Sequence, residues 1–330
     1  MSGLLERLLA EREYLVADGA TGTNLMGMGL PPGQAPDLWN LDEPQNVTRL
    51  HQSFLEVGAD IILTNTFGAN RCRLGMEKAE DRTSEVNEAG AQLARAAKEG
   101  SSRPVVVAGS MGPTGEIMEP LGPLTPERAE EVFTEQAEAL VRGGVDVLWI
   151  ETVYAFEELR AAVAAAARTG LPVASTMTFD TNGRTMMGDS PEEAAGFIQT
   201  LPTPLVAYGA NCGVGPATLV DAVMGLGRGS KDGDVIIAKG NCGIPELVGD
   251  EVVFRGDEGI MASYARLARD AGARIIGGCC GTSPDHLAAI VESLEGYSPG
   301  EPPDDASIER ALGPIDRSQG RKGRRRNRRR

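Results

Sequence analysis

The chain has 330 residues, of which 41% are hydrophobic, enough for one large domain with a substantial core and too many for a disordered polymer. Its formal charge of -15 is unevenly spread, because residues 317–330 carry nine Arg or Lys and no acid, which leaves residues 1–316 at -24. So acidic a body disfavours nucleic acid as the main ligand, and leaves the basic tail alone to touch RNA, an anionic membrane or another acidic protein.

The start, "MSGLLERLLAEREYLV", interleaves charges with apolar residues and lacks the unbroken apolar core of a signal peptide. No run elsewhere approaches the roughly eighteen apolar residues of a membrane span, so a cytoplasmic location without membrane attachment is expected. Five cysteines, two of them adjacent, point to free or metal-bound thiols rather than a disulfide framework.

Short apolar runs, each closed by a polar residue or glycine, predict strands at 14–18, 60–65, 105–110, 145–151, 173–178, 205–211, 235–241 and 273–278. Helical spacing lies between them, as at 125–143, opened by "TPER", and at 155–169, rich in Ala, Leu, Glu and Arg. Eight alternating units predict an α/β single domain, a (β/α)8 TIM barrel over residues 1–296. Residues 297–330 are expected to be a Pro- and acid-rich linker followed by a short disordered basic tail.

Barrels of this kind build their sites at the C-terminal ends of the strands, which makes the polar strand ends a map. They are Asp18, Asn65, Ser110, Glu151, Asn211 with Cys212, Asn241 with Cys242, and Cys279 with Cys280. Cys72, in a helical context, is a bystander. Four rim thiols suit a soft metal such as zinc, with histidine ligation nearly excluded because His51 and His286 are assigned ordinary surface or capping roles. A three-thiolate zinc site with an open position would strip the proton from an incoming thiol and present its sulfur as a nucleophile. Alkyl transfer to a thiol is the chemistry that follows.

The motifs "DGATGTNL", "ILTNTFGAN", "VAGSMGPTGE", "WIETV", "YGANCGVGP", "KGNCGIPE" and "IIGGCCGTSPDHL", taken in order, resemble those of the homocysteine S-methyltransferases. That family includes the betaine and S-methylmethionine enzymes and the homocysteine domain of cobalamin-dependent methionine synthase. The resemblance implies zinc (Zn2+) on Cys212, Cys279 and Cys280, and homocysteine held by Asp18, Gly19 and Glu151, with Asn241 matching the shared pattern. Cys242 departs from it, and is read as filling a small apolar slot; a sharper alternative has it closing the fourth zinc position. The implied donor is glycine betaine, giving methionine and dimethylglycine, with Trp39 and Phe67, and further Tyr154 and Phe179, as an aromatic cage. Two aromatic positions of the animal betaine enzymes are here Gly68 and Thr152. The alternatives are a stand-alone homocysteine module taking its methyl from a corrinoid protein, a sulfonium donor such as S-methylmethionine, and a non-catalytic zinc or thiol-binding barrel.

Overall fold

A computed structural model describes residues 3–248 and 251–317. Ten strands form in chain order: β1 (Leu15–Val16), β2 (Ile61–Leu63), β3 (Val106–Met111), β4 (Val147–Val153), β5 (Val173–Met177), β6 (Ala207–Cys212), β7 (Ile236–Gly240), β8 (Pro245–Val248), β9 (Glu251–Phe254) and β10 (Ala273–Gly278). Eight of them make one parallel sheet in the order β1-β10-β7-β6-β5-β4-β3-β2. A parallel bridge between Ala17 and Ile61 joins its two edges and closes the barrel, with Asp60 N donating to Val16 O and Asp18 N to Ile61 O. All eight expected strands are present, and helices occupy the stretches between them.

Alternation sorts each strand into two faces. Leu15, Ile61, Leu63, Val106, Ala108, Val147, Trp149, Ala174, Ala207, Ile237 and Ile275 form the barrel interior, and the leucines of the helix Leu4–Glu11 plug its lower end. The opposite faces pack against the surrounding helices in a second, larger core. Two residues further along the same inward rows stand Ser110, Glu151 and Lys239, and four residues beyond Ala207 and Ile275 stand Asn211 and Cys279. The barrel core thus turns polar at one end because the period of two runs on past the last apolar residue.

Two features differ from expectation. β8 and β9 form an antiparallel hairpin inserted after β7. Its Phe254 packs against Gly281, next in sequence to the vicinal cysteines: a side chain on Gly281 would approach the Phe254 Cβ to 2.4 Å, so only glycine fits beneath it. Within the stretch expected to be linker, Asp305–Leu312 is a helix, capped by the Asp304 side chain on Ser307 N, with Ile308 and Leu312 buried. The packed chain therefore runs on to Asp316, whose N–H donates to Thr218 Oγ1. Arg317, the first residue of the expected basic tail, pairs with Asp221 and Asp305, and residues 318–330 lie outside the described residues. No helix among the described residues is long and apolar enough to cross a membrane.

His51 is buried, 1% exposed, in the helix Pro44–Glu56, which corrects its assignment to the surface. Its Nε2 has no hydrogen-bond partner, and burial pushes its pKa down from 6.5 to about 4. The folded state therefore keeps His51 neutral while the unfolded chain takes up a proton, so stability is full above pH 6.5 and falls as pH drops toward 4. At about 1.4 kcal/mol per pKa unit the total is about 3 kcal/mol, about 2 of it lost by pH 5. Urea unfolding at pH 7.5 and pH 5 should show that loss in the wild type and a flatter dependence in His51→Leu. His286 is a capping residue as expected, its Nδ1 accepting from Ser283 N at 3.1 Å.

Candidate metal and thiol site

The upper end of the barrel opens into a cavity of about 620 Å3 whose walls include Gly19, Phe67, Ser110, Glu151, Lys239 and the three cysteines 212, 279 and 280. An acidic hollow of about 550 Å3 on the outer wall, lined by Glu127, Glu130 and Glu131 among others, lies away from the strand ends and shares none of these residues.

The sulfurs of Cys212, Cys279 and Cys280 lie within 4.8 Å of one another, with Cys212 Sγ and Cys280 Sγ 3.9 Å apart. Cys279 lies on the inward row of β10, but alternation alone would turn Cys212 outward, since its neighbour Asn211 points in. A left-handed backbone at Cys212, φ 62°, reverses that direction and brings its sulfur to the other two. The vicinal pair is held by β7: Cys279 N donates to Gly240 O at 2.7 Å and Cys242 N to Cys280 O at 2.9 Å.

A zinc ion with bonds of about 2.3 Å in a tetrahedron spaces its sulfurs about 3.8 Å apart, so these thiols fit one. Their electrostatics agree. Without a cation the three compete for ionisation: hydrogen bonds from the Cys279 and Cys280 thiols pull the Cys212 pKa down, and the same contacts with Cys212 push Cys279 and Cys280 up. A dication removes that conflict by letting all three ionise. A further donor stands nearby: the buried Oδ1 of Asn241 has no hydrogen-bond partner, while its Nδ2 donates to Gly213 O at 2.7 Å.

Cys242 is fully buried in the helix-facing core and stands outside the three-sulfur group, packed as an apolar residue. Burial pushes its thiol up to about 11.

Beside the sulfurs lies a buried charged cluster. Lys239 Nζ is 2.8 Å from Asp18 Oδ1, and both side chains are at most 3% exposed. Asp18 Oδ2 accepts from Leu63 N at 2.7 Å. Burial opposes the Lys239 ammonium, but the Asp18 and Glu151 carboxylates outweigh it and hold its pKa above the usual lysine range. Burial pushes the Glu151 carboxyl up to about 7, against the pull of Lys239 and of the Ser110 hydroxyl that donates to it. Asp18 and Glu151 are thus brought together as expected, around a lysine that "VIIAKGN" hid as an ordinary strand residue. A lysine inside an otherwise apolar strand was the signal available. Gly19 allows close backbone approach to the cavity wall: a Cβ there would meet Thr282 O at 2.6 Å and the Phe54 ring at 2.8 Å.

The expected aromatic cage is not assembled. Of Trp39, Phe67, Tyr154 and Phe179, only Phe67 lines the cavity. Trp39 is 6% exposed in the core between strands and helices, which corrects its reading as a ligand-facing residue, and Phe179 packs behind Cys212. The face of Phe67 is itself taken by the Arg73 guanidinium, 5.4 Å from the ring centroid. Asn241 is likewise one layer back, supporting Gly213 rather than lining the cavity.

A parallel barrel with a soft three-thiolate site beside paired carboxylates at its C-terminal end defines a thiol-handling enzyme class. The sequence profile of the homocysteine S-methyltransferases matches residues 15–294, and the chain belongs to that family of methyltransferases. Methionine synthase of Mycobacterium leprae is 30% identical over 317 residues, 91% of this chain and 26% of the relative. That of Mycobacterium tuberculosis is 31% identical over 304 residues, 87% of this chain and 25% of the relative. The chain thus spans about a quarter of the length of these relatives. The metallated homocysteine methyltransferase MmuM of Escherichia coli superposes with a TM-score of 0.74 at 22% identity, covering 87% of this chain and 98% of MmuM, a likeness of fold.

Proposed function

We propose that the protein transfers a methyl group to the sulfur of homocysteine, giving methionine, with zinc held by Cys212, Cys279 and Cys280. The observation that carries this reading is the meeting of three sulfurs at one point beside the buried Asp18–Glu151–Lys239 cluster. Bound there, zinc supplies the charge that keeps the substrate sulfur a thiolate at neutral pH, where a free thiol of pKa about 8.5 is mostly protonated. Asp18 and Glu151 receive the substrate ammonium, and Gly19 lets its carboxylate end lie against the backbone. Glu151 is fixed for that task by the Ser110 hydroxyl. The apolar walls below exclude water from the sulfur.

The donor is a methylated corrinoid carried by a protein partner, rather than betaine. A quaternary ammonium is held by aromatic faces, and the single aromatic on this cavity already carries Arg73. Among the described residues, all seven large hydrophobic side chains that stand exposed are on segments following strand C-terminal ends: Met26 and Met76 on the short helices Gly22–Gly27 after β1 and Arg71–Met76 after β2, Ile117 and Leu121 after β3, Met186 and Met187 after β5, and Ile244 after β7. An apolar rim around a cavity suits a macromolecular partner. Reduced, zinc-loaded protein offered homocysteine with methylcobalamin, betaine or S-methylmethionine should form methionine with methylcobalamin alone. Turnover with betaine and none with methylcobalamin would reject this donor.

A further inference from the structure

Asn211 lies between the sulfur cluster and the carboxylate end of β4, and none of the chemistry above uses it. Its side chain is fully buried. Thr152 N donates to Asn211 Oδ1 at 3.0 Å, and Asn211 Nδ2 donates to Thr152 Oγ1 at 2.8 Å and to Cys279 Sγ at 3.6 Å. The backbone N–H of Thr152 can only donate, which fixes the orientation of the amide and aims its NH2 at the sulfur. Thr152 is itself unusual: a β-branched residue at φ 64°, a region such side chains rarely enter. The pairing of β4 with β5 is irregular between Ile150 and Val153, so Glu151 and Thr152 form a bulge at the strand end.

We propose that Asn211 is a positioning residue that couples the two halves of the site. It holds the left-handed Thr152, and with it the bulge that aims Glu151 into the cavity, and through the same amide group it orients and tempers the Cys279 sulfur. The inference rests on zinc binding at the three cysteines and on homocysteine as the ligand.

The two arms of the amide separate by mutation, because glycine adopts the Thr152 backbone without help. Asn211→Ala should weaken zinc, measured by chelator competition, about 10- to 100-fold, the usual effect of removing a partner of a metal ligand. With zinc saturating, it should also weaken homocysteine binding in calorimetry. Adding Thr152→Gly should restore homocysteine affinity, since Glu151 no longer depends on the clamp, while the zinc deficit remains. Thr152→Gly alone should match the wild type in both. In cobalt(II)-substituted protein, loss of the N–H should move the sulfur-to-cobalt charge-transfer band to lower energy, a change that general loosening of the fold would not produce. Should Asn211→Ala fail to fold, the unstrained double variant carries the zinc and cobalt tests by itself. Zinc affinity and cobalt spectrum like those of the wild type in the double variant would overturn the proposal, as would equal homocysteine losses with and without Thr152→Gly. A wild-type protein that takes up no zinc would instead defeat the reading of the site on which the proposal rests.

Discussion

Cys280→Ser is expected to lose stoichiometric zinc and almost all methionine formation, with Cys212→Ser and Cys279→Ser behaving alike. The sulfurs of all three meet within 4.8 Å, so removing any one leaves a two-thiolate site that holds the metal weakly. The loss of rate has two sources. At pH 7 an unactivated thiol of pKa about 8.5 is about 3% thiolate, which alone costs about thirtyfold. Loss of the fixed sulfur position adds far more, because orientation contributes several powers of ten in enzymes of this kind. Cys242→Ala is the contrast: it should retain zinc and turnover and lose only packing stability, since Cys242 sits in the core. Metal analysis of the four variants after dialysis, beside their rates, separates the outcomes. Stoichiometric zinc and full activity in any of the first three would remove that residue from the ligand set.

Lys239→Met is expected to have the largest effect on stability. It removes one member of an ion pair whose side chains are both at most 3% exposed, leaving the Asp18 carboxylate buried without its cation and facing Glu151. Breaking such a pair costs about 3–5 kcal/mol, because the remaining buried charge has neither water nor a counter-charge and keeps only the Leu63 N–H. The double variant Lys239→Met with Asp18→Asn removes both charges and should recover most of that loss. Urea unfolding of the two variants and the wild type reads the difference. A single variant as stable as the wild type would mean that the pair adds nothing to the fold.

Much of this architecture was legible in the sequence because a parallel barrel repeats one physical unit. Each strand is a short apolar run buried on both faces, closed by a polar residue that marks the site end, and eight such runs could be counted without knowing how they pair. The cysteines were legible for the same reason. What escaped depends on contacts between strands. Lys239 reads as a strand residue until barrel closure turns β7, β1 and β4 toward one interior, where it becomes the counter-charge for two carboxylates. Thr152 gives no sign of its left-handed backbone, which is held by a side chain from β6. Trp39 failed as a cage residue because composition reports an aromatic near a strand end and not which way it faces; the short helix Trp39–Asp42 turns it into the core. The helix Asp305–Leu312 had its signal, an aspartate cap before "ASIERAL", masked by the prolines preceding it.

The most direct test of the account is zinc X-ray absorption on the reduced, zinc-loaded protein before and after homocysteine is added. Capture of the substrate sulfur by the metal predicts a shell of three sulfurs that becomes four. A sulfur shell that stays unchanged while homocysteine is bound would contradict activation of the thiol by the metal.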